Sequence, residues 1–227
     1  INSDKLYSLT LFKTNDADYI FFIIHHMVVD VVSWNIIADD LIKLYMAAEK
    51  HEKVELPYKT MSFMEWSEFL HSEEAHEEVH QCYESIWKEI SMDHSRDKNI
   101  AIWDNENYGL FTDTKELEFD ISGETAEELR TRAFEVLSAN MEEVLVAVTA
   151  KAIADTSNKD YVALAIESNG RFAKDKDIDV SRTVGWFTSI YPLVLKAGAD
   201  PVRHLCYVKE KRRKIKDIEY SFNIAAS

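Results

Sequence analysis

Chemistry in this chain centres on Ile24-His25-His26-Met27-Val28-Val29-Asp30-Val31-Val32-Ser33-Trp34. Imidazole is the side chain whose ordinary pKa lets it take and return protons near neutrality. Adjacent strand residues point to opposite faces, so His25 and His26 cannot both face one cavity if both are extended. One is expected to transfer protons and the other to pack or hydrogen-bond. If the strand runs straight through, His26 shares a face with Ile24 and Phe22, and His25 with Ile23 and Phe21. Both faces are apolar, so periodicity does not choose between them. A structural reading stands beside this one: a buried histidine is often a satisfied core residue, and Asp30 can serve simply as a helix N-cap. His71, His76 and His80 are a second cluster, with 76 and 80 on one helix face. Glu73, Glu74, Glu77 and Glu78 surround them and no fourth ligand converges, so a solvated acidic face is expected there rather than a metal site.

The elements that must hold these residues follow from period and caps. Leu6 to Lys13 alternates, Asn15-Asp16 reads as a turn, and Asp18–Ile24 is a second β-rich run, which together predict a hairpin. After Asp30 the period changes, with Trp34, Ile37, Leu41 and Tyr45 recurring as on an amphipathic helix. Ser62 N-caps a short helix carrying Phe63, Trp66, Phe69 and Leu70. A further helix is expected from Ala75 to Ile90, with Val79, Tyr83, Ile86, Trp87 and Ile90 on its apolar stripe. Residues 92–112 are polar and aperiodic, and are the best boundary between two halves, 1–98 and 99–227. A strand is expected over Thr114 to Asp120, then a helix start near Ser122, where Thr125 and Glu128 fit a capping box. Ser138 to Asn140 break the helical pattern before Met141 to Asp155. A strand from Tyr161 to Ile166 delivers Glu167 at its end, a charged linker spans Phe172 to Val180, and another strand is expected over Trp186–Leu195. Pro201 suits the first turn of a last long helix, to about Lys214.

Composition narrows the function classes. Of 227 residues 46% are hydrophobic, with five Gly and three Pro, which argues for a packed core and against disorder. Lys and Arg number 26 against 41 Asp and Glu, a net charge of −15. That balance disfavours nucleic acid and anionic membrane surfaces as partners. Cys82 and Cys206 are too few and too far apart for a disulfide framework or a zinc site. No long apolar run or signal peptide is evident, and a cytoplasmic protein is the default. The run Lys209-Glu210-Lys211-Arg212-Arg213-Lys214 reads as a solvated face, and as a candidate docking surface for an acidic carrier protein.

Three motifs then carry a resemblance. His25-His26-Met27-Val28-Val29-Asp30 resembles the His-His-x-x-x-Asp-Gly signature of the condensation-domain superfamily of nonribosomal peptide synthetases, and the trailing Ser33-Trp34 is more like its epimerization branch. Val184-Gly185-Trp186-Phe187-Thr188-Ser189-Ile190-Tyr191-Pro192 resembles the long Val-Gly-Trp-Phe-Thr-Ser-x-Tyr-Pro motif of epimerization domains. Glu167-Ser168-Asn169-Gly170-Arg171 resembles the family's Glu-Gly-His-Gly-Arg, and Lys59 to Trp66 its linker. Glu219-Tyr220-Ser221-Phe222-Asn223 is similar to a later Phe-Asn-Tyr-Leu-Gly stretch, with Ile224 where the family has Tyr. The Gly-Ile-Gly-Tyr-Gly segment that precedes it in the family is absent.

The resemblance implies an α/β fold of the chloramphenicol-acetyltransferase-like type, two lobes with a tunnel between them, here as an incomplete domain. It implies epimerization at the α-carbon of a carrier-protein-bound aminoacyl or peptidyl thioester. Such a reaction needs two proton-transfer groups and stabilisation of an enolate oxygen. The resemblance assigns the first task to His26 and Glu167, with His25, Asp30, Arg171 and Asn223 in support. Asp30 is expected to bond Arg171 or Arg182, and the N-terminus of the following helix to favour the enolate. No metal and no cofactor of the chain's own is expected; the phosphopantetheine arm belongs to a partner carrier domain. Two alternatives remain, a condensation-type acyltransferase and a degenerate module that only docks a carrier. The departures Val31 for Gly, Asn169 for His and Phe172 for Glu keep the last one open.

Overall fold

A hairpin and a long helix open the chain in the computed structural model, which describes residues 5–96, 100–101, 112, 115–171 and 178–226. β1 (Tyr7–Lys13) and β2 (Asp18–Ile24) pair antiparallel from Tyr7↔Ile24 to Lys13↔Asp18. A 3₁₀ turn (His26–Val28) leads into α1 (Val31–Lys50), capped by Asp30. α2 (Phe63–Leu70) opens on a full capping box between Ser62 and Glu65. α3 (Glu73–Glu78) passes through a π turn (Val79–Tyr83) into α4 (Glu84–Arg96), in place of one uninterrupted helix. The buried stripe Val79, Tyr83, Trp87 and Ile90 survives that turn.

A second sheet runs in the order β3 (Ile100–Ala101), β4 (Tyr161–Ser168), β5 (Ser189–Lys196), with β3 and β4 parallel. α5 (Gly123–Leu137) and α6 (Met141–Ser157) are joined by Ser138, whose φ of 49° ends the first, and Asn140, which caps the second. α7 (Pro201–Ile215) starts with Pro201 in its first turn, and α8 (Ser221–Ala225) is a single short helix.

Three expectations are corrected. Residues 115–120 form no strand: Leu117 and Phe119 are 88% and 79% exposed, and alternation without a partner edge closes no ladder. The cap of α5 is Ser122, whose side chain accepts from the Thr125 N–H, three residues before the expected Thr125 box. β5 begins at Ser189 rather than Trp186, because the N–H groups of Gly185 and Phe187 are taken by side chains of the α1 start instead of by a neighbouring strand. Most of the aperiodic stretch 92–112 and Phe172 lie outside the described residues.

The chain forms two compact units, 1–83 with 167–190 and 217–227, and 84–166 with 191–216, so the division does not fall at a single cut in the sequence. Within the first, Trp66, Phe187 and Tyr220 make an aromatic centre, with Trp66 5.8 Å from Tyr220 and 6.1 Å from Phe187. Within the second, Ala133, Ala139 and Val144 pack with Leu137, Met141 and Leu205.

Candidate active site

The strand does not run through the histidines. β2 ends at Ile24, the His25 N–H still donates to Leu6 at 2.8 Å, and the His25 ring then caps the 3₁₀ turn by accepting from the Met27 N–H at 3.2 Å. That bond requires a lone pair on Nδ1 and leaves the ring proton on Nε2. Local side-chain bonding of this kind competes with a ladder, and it is why the alternation stops here. His26 opens the turn with an exposed ring whose centroid lies 5.3 Å from that of Trp186.

Behind the turn, Asp30 is 5% exposed and accepts from three residues. Its donors are the Ser33 N–H at 2.7 Å, Arg171 Nη2 at 2.8 and 3.0 Å, and the Phe187 N–H at 3.3 Å. Burial opposes its charge most strongly, but the Ser33 N–H, the Arg171 guanidinium and the remaining donors outweigh it and hold the carboxyl below its ordinary range. Arg171 also donates to the carbonyls of Val180 at 2.9 Å and Thr183 at 2.7 Å, and its guanidinium lies 4.2 Å from the Phe187 ring centre. Of the two arginines expected near Asp30, Arg171 bonds it, while Arg182 pairs with Asp40 at 2.7 Å. The start of α1 is thus met by the Asp30 carboxylate, which already answers the helix dipole.

Ser33 joins two distant stretches. Its side chain is fully buried, and its hydroxyl donates to the Gly185 carbonyl and accepts from the Gly185 N–H and Arg171 Nη2, each at 3.0 Å. A side chain at Gly185 would displace the Phe63 ring, since a Cβ would stand 2.4 Å from it. Gly170 is constrained twice over: its φ is +63°, and a Cβ would meet the Phe187 carbonyl oxygen at 1.7 Å. Val31 stands in the first turn of α1 with 76% exposure and no positive φ, so Val in place of the family's Gly brings no backbone strain and has the better helix propensity.

Glu167 is exposed near the end of β4, three residues before Gly170. A cavity of about 420 Å³ lies in the same unit, lined by Phe63, Trp66, Gly170, Trp186, Phe187 and Asn223 among others. Asn223 donates to Ser189 Oγ at 3.5 Å. His26 and Glu167 belong to this unit but do not line that cavity. His71 and His76, both exposed, do, and among the described residues no cluster suits a metal ion. Two features went unread in the sequence: the Arg182–Asp40 pair, and the Thr183 hydroxyl, which donates to the Met61 carbonyl at 2.5 Å. Ser33 was legible as a branch marker but not by its bonds, though a small polar residue between Val32 and Trp34 was a usable signal for a buried hydroxyl.

These elements define the α/β fold of the chloramphenicol-acetyltransferase-like class, shared with the epimerization domain from the third module of tyrocidine synthetase B (TM-score 0.79, 27% identity, 98% of this chain and 51% of that one). The fold is also that of the first condensation domain of the calcium-dependent antibiotic synthetase (TM-score 0.62, 16% identity, 95% of this chain and 46% of that one). Residues 1–223 match the family described as Condensation domain, and the chain belongs to it. A plipastatin synthase polypeptide from Bacillus subtilis is 34% identical over 82% of the chain, and tyrocidine synthase 1 of Brevibacillus parabrevis 32% identical over 95%. The chain spans only 7% and 20% of those two relatives, and about half of the solved domain.

Proposed function

We propose that this chain exchanges the α-proton of a carrier-bound aminoacyl or peptidyl thioester and so inverts the α-carbon, as part of nonribosomal peptide synthesis in the cytoplasm. The observation that carries this reading is the Ser33–Gly185 double hydrogen bond, because it ties the two epimerization-like motifs, Ser33-Trp34 and Gly185-Trp186-Phe187, into one structure. The likeness to a solved epimerization domain supports the same branch. In this reading one of His26 and Glu167 takes the α-proton, the charge collects on the thioester oxygen, and the other returns a proton to the opposite face. His25 holds the turn; Asp30 and Arg171 hold the segment of Gly185 and Phe187; Asn223 stands beside the cavity. The chain's own residues supply the proton transfers, and the phosphopantetheine arm comes with the partner carrier protein. No described helix is long and apolar enough to cross a membrane.

The test offers the protein a carrier-bound L-aminoacyl thioester in deuterated water. Deuterium at the α-carbon with appearance of the D-isomer is expected. Condensation with a supplied amine, without exchange, would instead mark an acyltransferase of the condensation type, and binding of the carrier with neither reaction would mark a docking module.

A further inference from the structure

The 420 Å³ cavity has chemistry of its own. Its size falls in the range of about 300–1,000 Å³ usual for small-molecule clefts. Its wall is a set of rings in edge-on or tilted contact, with Phe63 5.1 Å and Trp66 6.1 Å from Phe187. Among its polar lining groups, Ser189 donates to the Glu219 carbonyl at 3.0 Å and receives Asn223. His71, an exposed lining residue, is tied through Nδ1 to the Ser67 carbonyl at 2.7 Å, and no lysine or arginine is among the lining residues. Such a wall favours a flat apolar group, since aromatic rings in these geometries attract one another beyond the area they bury.

Its position suggests whose group that is. Trp186 is common to both places, since its ring packs on His26 and also lines the cavity. Gly170, three residues beyond Glu167, lines it too. Resting on the epimerization reading, we infer that this cavity receives the side chain of the substrate residue, and that it selects large aromatic side chains over small or charged ones. The α-carbon then stays on the His26 side of the Trp186 indole while the side chain lies on the Phe63–Phe187 side.

Two readouts separate this inference from the reading beneath it. Binding of N-acetyl-L-phenylalanyl and N-acetyl-L-alanyl pantetheine thioesters to the whole chain, followed by indole fluorescence, measures the cavity without any turnover. Tighter binding of the phenylalanyl thioester by about 10-fold or more is expected, within the range that apolar pockets achieve. Leu70→Trp and, independently, Ser67→Trp enlarge side chains that line the cavity from α2 and should bring the ratio close to one; a melting curve for each confirms folding. Equal binding of the two thioesters, or a ratio unmoved in both folded variants, overturns the side-chain pocket. Deuterium exchange of the same thioesters reads the reaction separately: selective binding without exchange removes the epimerization reading and keeps an aromatic-acyl site, whereas unselective binding with exchange does the reverse.

Discussion

Among single residues, the two histidines divide by hydrogen bonding rather than by strand face. His25 is committed through Nδ1 to the Met27 N–H, and His26 presents an exposed ring beside Trp186. His25→Ala should therefore lower the melting temperature, by the loss of a cap bond that contributes about 0.5–1.5 kcal/mol. Asp30 and Arg171 make a larger demand. Both are 5% exposed, so Arg171→Ala leaves a buried carboxylate, at a cost of about 3–5 kcal/mol readable by urea denaturation. The pair also sets an acid limit. Because Asp30 titrates lower in the folded than in the unfolded chain, its ionised form stabilises the fold at pH above about 4. That contribution disappears as pH falls through the folded-state value. Asp30→Asn should accordingly be less stable at neutrality and show a shallower loss of melting temperature on acidification; an acid limb as steep as the parent's would contradict the assignment.

For the elements, local signals were legible and borrowed ones were not. The hairpin followed from alternation and its turn, and α1 and α2 from period and from Asp30 and Ser62 as caps. Those features depend on neighbours in sequence. The start of β5 did not, since what removes Gly185 and Phe187 from the ladder are Ser33 and Asp30, more than 150 residues earlier. The candidate site was legible only as motifs; that Ser33 joins two of them is tertiary information. Ser33→Ala tests the joint. It strips the Gly185 N–H and carbonyl of their partner in a buried place, which should cost about 1–3 kcal/mol. It should also depress α-proton exchange by loosening Trp186 beside His26, and a variant that is destabilised yet exchanges at the parental rate would separate the joint from the chemistry. α7 carries bonds that its basic run did not announce: Lys209 donates to the Leu137 carbonyl, Arg212 pairs with Glu142, Arg213 with Glu143 and Lys211 with Glu89. Those four cations join α7 to its own unit. Lys209→Ala with Arg213→Ala should then lower stability, each charged bond contributing about 1.5–3 kcal/mol, and leave carrier affinity nearly unchanged in a binding titration.

For the whole molecule, composition and architecture answer different questions. A net charge of −15 restricts partners, as it weakens attraction to polyanions, while the matched α/β fold says what kind of scaffold carries the motifs. The two compact units interleave in sequence, because β4 and β5 each carry their ends into the first unit. No reading of local composition shows that, since it depends on which stretches return to one another. Within the first unit, returning segments bring Arg171 and Gly185 to the α1 start, and Tyr220 to Trp66. The hairpin is the exception to this packing: Tyr7, Leu9, Leu11, Tyr19, Ile20, Phe21 and Ile23 are each more than half exposed, so both of its faces offer apolar surface. Patches of that extent bind hydrophobic dyes and promote association. The chain should enhance the fluorescence of such a dye, and paired Leu9→Lys and Phe21→Lys substitutions should reduce the signal while leaving the Asp30–Arg171 site folded.

Proton transfer by His26 is decided by the α-proton exchange rate of His26→Ala against His25→Ala, measured by mass spectrometry on a carrier-bound L-aminoacyl thioester in deuterated water. The His26 variant should keep its melting temperature and lose about 10²–10⁴-fold in rate, the usual contribution of a positioned proton-transfer group. The His25 variant should melt earlier and still exchange. Full exchange in His26→Ala with loss in His25→Ala would reverse the assignment, and exchange in neither variant nor parent would contradict the epimerization reading itself.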